Sequence, residues 1–189
     1  MHLRRRVLLG VALLLCAAAS LDAAWIPLKA QAAQLLIERS WNVAASGQPA
    51  PPPWPWADTR PAAVLEAPDH GVRLFVLEGS SGRNLAFGPT FANGTETGED
   101  LVISGHRDTH FGFLQEIQSG DRIRITRHSG VETYEVVQTD VVDSRAARML
   151  IDPGASRLSL VTCYPFDAAS AGGPLRFVVT ALPVARQGS

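Results

Sequence analysis

Near its C-terminal end the chain reads Leu158-Ser159-Leu160-Val161-Thr162-Cys163-Tyr164-Pro165. Successive side chains of a β-strand point to opposite faces, so Leu158, Leu160 and Thr162 share one face, and Ser159, Val161 and Cys163 share the other. Burying the leucine face turns Cys163 outward at the end of the strand. The stretch therefore predicts a β-strand over residues 157–163 that presents a thiol.

Two further strand ends carry groups that suit a reactive thiol. The apolar run 101–104 leads to Gly105 and His106, and Arg176 opens the last apolar run. If strands 157–163 and 176–182 pair antiparallel, Cys163 and Arg176 lie side by side, with Cβ atoms about 5 Å apart. An imidazole or guanidinium raises the thiolate fraction, an imidazole can protonate a leaving amine, and a guanidinium can stabilise an oxyanion. We therefore expect Cys163, His106 and Arg176 to be catalytic.

The same residues carry a family resemblance. The run from Ser159 to Cys163 resembles the TLxTC signature of sortases, with Ser159 where threonine is usual, and the run 104–108 resembles their histidine motif. Arg176 matches the third catalytic position. The segment after Cys163 and the Gly-Gly-Pro loop before Arg176 most resemble the sortase class of Gram-negative proteobacteria. Because this loop is longer than in many Gram-positive sortases, Arg107 and Arg157 are the alternative arginines.

The resemblance implies a mostly β fold, a closed barrel of about eight strands with short helices. It also implies cleavage of a C-terminal sorting signal of LPxTG type between Thr and Gly, through a Cys163 thioester, and acyl transfer to an amine. Its partners would be an exported protein bearing that signal and an amine acceptor. The neighbouring residues expected to bind the signal are Thr162, Val161, Ser104 and Tyr164.

The N-terminus predicts a membrane segment. Three arginines at 4–6 precede an apolar run over 7–21, and extending it to residue 28 gives about the 20 residues that span a bilayer. Small residues at 17–20 would allow cleavage of a signal peptide, whereas Trp25 suits a membrane interface. We favour a retained single-pass anchor in the inner membrane, with the following domain in the periplasm. The expected division is anchor 1–28, stalk helix and Pro-rich linker 29–61, catalytic domain 62–185 and tail 186–189.

Composition bounds the remaining function classes. The chain has 189 residues, 46% of them hydrophobic, and a net charge of −1, which fits one domain with appendages and offers no electrostatic footprint for nucleic acid. Its two cysteines are Cys16, inside the N-terminal apolar run, and Cys163. A disulfide framework is therefore not expected, and a lone thiol in an exported domain indicates a reactive cysteine.

The pattern along the rest of the chain predicts short strands between turns. A helix is expected over 30–42, with Leu35, Leu36 and Trp41 on its apolar side, followed by an extended Pro-rich spacer over 44–61. The expected strands cover 72–77, 84–87, 101–104, 121–126, 132–142, 157–163 and 176–182, with a short helix over 144–150. Many short strands at this spacing indicate a closed barrel or a sandwich.

No cofactor or metal is expected. His110 follows His106 by four residues, a zinc spacing on a helix, but Gly112 argues against a helix here. The acidic residues at 96, 99, 100 and 108 resemble calcium-binding loops of some sortases, yet their spacing fits no calcium motif. The alternative functions are a periplasmic cysteine peptidase, an L,D-transpeptidase acting on peptidoglycan, or a non-catalytic barrel that binds a C-terminal peptide. The L,D-transpeptidase is disfavoured because its Ser-x-Gly-Cys block is absent around Cys163.

Overall fold

The structure is a computed structural model that describes residues 32–44, 50–152, 154–168 and 172–185. The predicted membrane segment at 1–28 and the predicted tail at 186–189 lie outside the described residues. Among the residues that are described, no helix is both long enough and apolar enough to cross a bilayer.

Eight strands form a closed barrel, which confirms the predicted mostly β architecture. They are β1 (Pro61–Ala67), β2 (Val72–Leu77), β3 (Thr90–Phe91), β4 (Asp100–Ser104), β5 (Arg122–Arg127), β6 (Gly130–Asp143), β7 (Arg157–Cys163) and β8 (Leu175–Pro183). The order around the barrel is β1-β2-β3-β4-β7-β8-β6-β5. The β2–β3 and β4–β7 pairs are parallel, and the remaining neighbours are antiparallel.

Alternate side chains of each strand fill the barrel. On β4 and β7 the inward residues include Leu101, Ile103, Leu158 and Leu160, all fully buried. Phe111 belongs to the same core and immediately precedes a 3₁₀ helix at Gly112–Gln115. The period of two therefore assigns the opposite residues of β4 and β7 to the outer face.

Two predicted elements are wrong. Residues 84–87 are not a strand: a short helix, α2 (Gly82–Leu85), precedes and overlaps them, because the Ser81 hydroxyl caps it by accepting from the amide of Asn84. Residues 144–150 are not a helix but one turn, in which the Ala147 amide donates to the carbonyl of Asp143. Strands β1 and β3 were not predicted.

Helix α1, described over residues 32–44, packs on the outside of the barrel through a face that includes the predicted Trp41 but not Leu35 or Leu36. Ile37 and Trp41 are buried against a cluster from β1 and β2, whereas Leu35 and Leu36 are exposed. Trp41 also stacks on His128, with ring centroids 4.3 Å apart. The helix is thereby fixed to the barrel.

The described part of the Pro-rich segment also lies against the barrel. Trp54 packs on Phe87, with ring centroids 4.8 Å apart. The Thr59 hydroxyl donates to the carbonyl of Glu78 at 2.7 Å. Trp56, by contrast, is exposed.

Candidate active site

Strand β7 is central to the site because its two neighbours carry the other two groups. Cys163 and Arg176 are direct partners in the antiparallel β7–β8 ladder, which confirms their predicted pairing. Cβ atoms of such partners lie about 5 Å apart. Cys163 is a free, half-buried thiol, and its position beyond the inward-facing Thr162 places it on the outer face.

His106 reaches the same place from the other side of β7. The parallel β4–β7 ladder ends with Ser104 beside Val161, and the Gly105 amide then donates to the carbonyl of Val161 at 3.1 Å. His106 follows the end of this ladder by two residues, and its side chain is exposed. The neighbouring ends of β4, β7 and β8 thus bring together the chain segments that carry imidazole, thiol and guanidinium.

Gly105, which precedes His106, packs closely against the Phe111 ring. A Cβ built on Gly105 would lie 2.7 Å from the ring of Phe111, closer than side chains tolerate. The Phe111 ring occupies that space, and the backbone amide of Phe111 donates to the carbonyl of His106 at 2.9 Å. The turn after β4 therefore depends on a glycine beside the histidine.

A groove of about 320 Å³ follows the outer face, and Arg176, the ladder partner of Cys163, is among its lining residues. Its floor includes Ser104, Val161, Val178 and Arg176, and the connection after β6 contributes further walls. Its remaining lining residues are Val102, Asp140, Val142, Ser144, Ala147, Arg148 and Met149. A partly apolar groove lined by the ladder partner of Cys163 can hold an extended peptide near this thiol.

Two of the predicted substrate contacts line this groove and two do not. Ser104 and Val161 are on its floor. The Thr162 side chain is buried and donates to the carbonyl of Gly105 at 2.8 Å, so a contact of this side chain with substrate is not supported. Tyr164 stacks on Phe177, with ring centroids 6.2 Å apart, and its amide donates to the carbonyl of Leu175. Tyr164 therefore lies beyond the described groove, on the segment that follows Cys163.

The three arginines considered from the sequence occupy different places. Arg157 lies at the opposite end of β7, six residues or about 20 Å from Cys163, and pairs with Asp100. The Arg107 guanidinium is buried against Asp108 and the segment after Cys163. Arg176 remains on the face of Cys163 despite the long loop, and it donates to the carbonyls of Gly173 and Leu175.

Comparison with known proteins assigns the family. Residues 65–184 match the model of the sortase domain. This chain belongs to the sortase family. Members of this family are cysteine transpeptidases that act on peptide bonds.

The relatives of this sortase include sortase D of Bacillus subtilis, 32% identical over 123 residues, or 62% of this chain and 61% of that protein. Among solved structures, sortase A from Corynebacterium diphtheriae superposes with a TM-score of 0.59 at 26% identity, covering 69% of this chain and 63% of that one. A Clostridium perfringens sortase D5 transpeptidase shares the fold, with a TM-score of 0.58 at 22% identity, covering 67% of this chain and 80% of that one. The sortase spans less than two thirds of the first two relatives, so family and fold transfer to it, but substrates and partners do not.

Charges around the sortase site arise mainly from the turn after β4. A hydrogen bond from Arg107 lowers the pKa of Asp108, against the effect of burial, and the charges of Arg107 and His106 lower it further. The pKa of His110 is lowered, first by burial and then by the charge of His106. His106 is thus the exposed imidazole of the turn, and His110 is the desolvated one.

Neither of the two spacings considered for a metal forms a cluster. Residues 107–111 are turns, so His106 and His110 do not share a helical face. Asp100 and Asp108 of the acidic residues are each committed to an arginine. Across the described ranges, no three or more His, Cys, Asp or Glu side chains are grouped to hold a metal ion.

The sequence did not predict the contacts of Arg107, which was considered only as an alternative oxyanion donor. The available signal was its position between His106 and Asp108. That position does not reveal that the guanidinium turns inward to the segment after Cys163.

Proposed function

We propose that this sortase is a cysteine transpeptidase that cleaves an exported protein within a C-terminal sorting signal of LPxTG type, between Thr and Gly, and transfers the acyl group to an amine. The observation that carries the proposal is the placement of Cys163 opposite Arg176, which lines the groove, with His106 two residues beyond the adjoining β4–β7 ladder. The groove floor of Val161 and Val178 suits the apolar residues that begin such a signal.

The proposed reaction has two halves. The Cys163 thiolate attacks the Thr carbonyl carbon, and Arg176 stabilises the oxyanion of the tetrahedral intermediate. His106 protonates the leaving Gly amine, the C–N bond breaks, and a thioester remains on Cys163. An incoming amine then loses a proton to His106 and attacks the thioester, and its product departs as the thiolate of Cys163 is restored. The chemistry needs no cofactor, because side chains supply every group.

We further propose that the enzyme is anchored in the inner membrane by one N-terminal pass, with the barrel in the periplasm. Three arginines at 4–6 before the apolar run support this orientation. The Gly-Gly-Pro loop and the segment after Cys163 support the class found in Gram-negative proteobacteria. Isolation of a soluble periplasmic form that begins near residues 20–25 would contradict the anchor.

The two cysteines of the chain provide a matched test of the activity. Full-length protein in detergent is incubated with an LPxTG-type peptide, with and without an added amine, and analysed by mass spectrometry. Wild type and Cys16→Ala should cleave the peptide, form an adduct on Cys163 and yield an amine-linked product. Cys163→Ala should do none of these while unfolding at a similar temperature. Cleavage by Cys163→Ala would overturn the proposal, and cleavage without amine transfer would identify a peptidase.

A further inference from the structure

We propose that Arg107 is a positioning residue, which holds the segment after Cys163 against the turn that carries His106 and thereby sets the thiol beside the imidazole. The inference rests on the proposed function, since it assigns a role within the same site.

The Arg107 guanidinium is almost fully buried and uses most of its donors. Nε donates to Asp108 Oδ1 at 2.6 Å and Nη2 to Oδ2 at 3.0 Å. Nη2 also donates to the carbonyl of Ala168 at 2.9 Å, and Nη1 donates to the carbonyl of Pro165. Four of its five N–H groups are thus engaged, which leaves little capacity for an oxyanion. A charged side chain is seldom buried unless it is paired in this way.

The two segments that Arg107 joins begin with the reacting groups. His106 immediately precedes Arg107, and Pro165 follows Cys163 by two residues. The main-chain contact between these strands ends at Gly105 and Val161, with one more bond from the Thr162 hydroxyl. Within the described part of the chain, the hydrogen bonds between residues 106–111 and residues 163–168 all come from Arg107, beside the apolar packing of Phe166 on the cluster that includes Phe111. We therefore expect the guanidinium to help set the distance between imidazole and thiol.

The bonding pattern requires arginine. A planar guanidinium directs N–H groups toward a carboxylate and two carbonyls at once, which the single ammonium of lysine cannot do. The pKa of Arg107 is raised, first by its hydrogen bond to Asp108 and, against burial, by the charges of Asp108, Cys163 and Asp167. The electrostatic contribution of Cys163 agrees with a guanidinium close to the thiol. Asp108 itself is mostly exposed and bonds to the Arg107 guanidinium from its solvent side.

The test compares Arg107→Lys with Arg157→Lys. Arg157 has the same two-pronged bond to a carboxylate, but at the far end of β7, so it is the matched control. With full-length protein and an LPxTG-type peptide, Arg107→Lys should lose kcat about 10²-fold with KM little changed, because a small misplacement of reacting groups has an effect of that order. Arg157→Lys should keep kcat and unfold at a lower temperature. An unchanged kcat in Arg107→Lys would overturn the proposal.

Asp108→Asn provides a second variant, because an exposed carboxylate can be changed without disrupting the fold. It should lower kcat less than Arg107→Lys does, and it should add nothing in the Arg107→Lys background, since both act through one guanidinium. Guanidinium ion added to Arg107→Ala should restore part of the lost kcat. Independent effects of the two substitutions, together with no rescue, would assign Arg107 a general structural role instead.

A further measurement does not need the sorting signal. Alkylation of Cys163 by iodoacetamide, located by mass spectrometry, reports on the thiol and its neighbouring imidazole. Arg107→Lys should slow it several-fold and Arg157→Lys should not change it. If the peptide is not cleaved by wild type, the proposed function fails, whereas equal alkylation rates in wild type and Arg107→Lys refute the positioning role alone.

Discussion

The two ends of the β4–β7 pair each carry an arginine and an aspartate, but in opposite arrangements. At the start of the strands, Asp100 and Arg157 are partners in the ladder, and the carboxylate is buried at 1% exposure while Arg157 is 31% exposed. Beyond the other end, Arg107 is buried at 5% exposure and Asp108 is 62% exposed.

This difference separates stability from activity. The buried carboxylate of Asp100 accepts from Arg157 and from the Asp152 amide. The pair therefore joins β4 to β7 and to the connection before β7. The buried guanidinium of Arg107 instead bonds to the segment past the ladder, next to the proposed catalytic residues. Substitution of Arg157 should therefore lower stability and leave turnover intact, whereas substitution of Arg107 should lower turnover.

Replacement of His106 should have the largest effect. His106→Ala should lower kcat by about 10²- to 10⁴-fold, the usual contribution of a general acid and base. His110→Ala, on the same turn but half-buried, should lower it far less. Steady-state kinetics of peptide cleavage would check both. Similar losses at the two positions would show that the turn acts as a unit and not through one imidazole.

Arg176→Lys comes next. It keeps the charge opposite Cys163 but loses the planar fork, and we expect kcat/KM to fall by about 10²- to 10³-fold, as for one oxyanion donor. Arg157→Lys, measured in parallel, should stay near wild type. Near wild-type kcat/KM in Arg176→Lys, with a collapse in Arg157→Lys, would mean that the far end of β7 supplies the donor.

The sequence predicted the elements whose patterns are local. Period two on residues 157–163 identified the outward face of Cys163, and antiparallel pairing with the last strand placed Arg176 opposite it. Strand β1 was missed because three of its seven residues are alanine, which favours no strand, and it forms through its pairing with β2 and β5.

Other features depend on contacts that are distant in sequence. Leu35, Leu36 and Ile37 are consecutive, so any of them could define the apolar face of α1, and the cluster with β1 and β2 selects Ile37. Arg107 beside Asp108 resembles an exposed ion pair. Only its contacts with Pro165 and Ala168, about 60 residues later, bury it.

Gly105→Ala should have a smaller effect on kcat, and it should also lower stability, because Gly105 lies between the core residue Phe111 and His106. The added Cβ would press on the Phe111 ring, and such overpacking costs about 1–3 kcal/mol of unfolding free energy. Because His106 is adjacent, kcat should fall as well. Gly98→Ala, before the start of β4, is the matched control, since its added Cβ would meet nothing closer than 3.9 Å. Thermal unfolding and kinetics of both variants would test this, and equal behaviour would contradict the tight approach at Gly105.

Asp100→Asn should have the smallest effect on turnover, and its signature is the pH dependence of stability. Burial raises the pKa of Asp100, but hydrogen bonds from Arg157 and the Asp152 amide outweigh it, so the net pKa lies below its usual value of 3.8. A carboxyl with a lowered folded-state pKa stabilises the fold above its unfolded-state pKa and loses that contribution as the pH falls through the folded-state pKa. The free energy of unfolding of wild type, measured with urea, should therefore decrease below about pH 4. The free energy of unfolding of Asp100→Asn should decrease less over that range.

Asp143→Asn is the control. Arg145 holds the pKa of Asp143 at about 2, but this pair is on the surface, where ion pairs contribute little to stability. If Asp143→Asn reduced the loss of stability at low pH as much as Asp100→Asn does, the Asp100–Arg157 pair would contribute no more to stability than a surface ion pair. The contrast between the two ends of β4 and β7 would then depend only on Arg107 and Asp108.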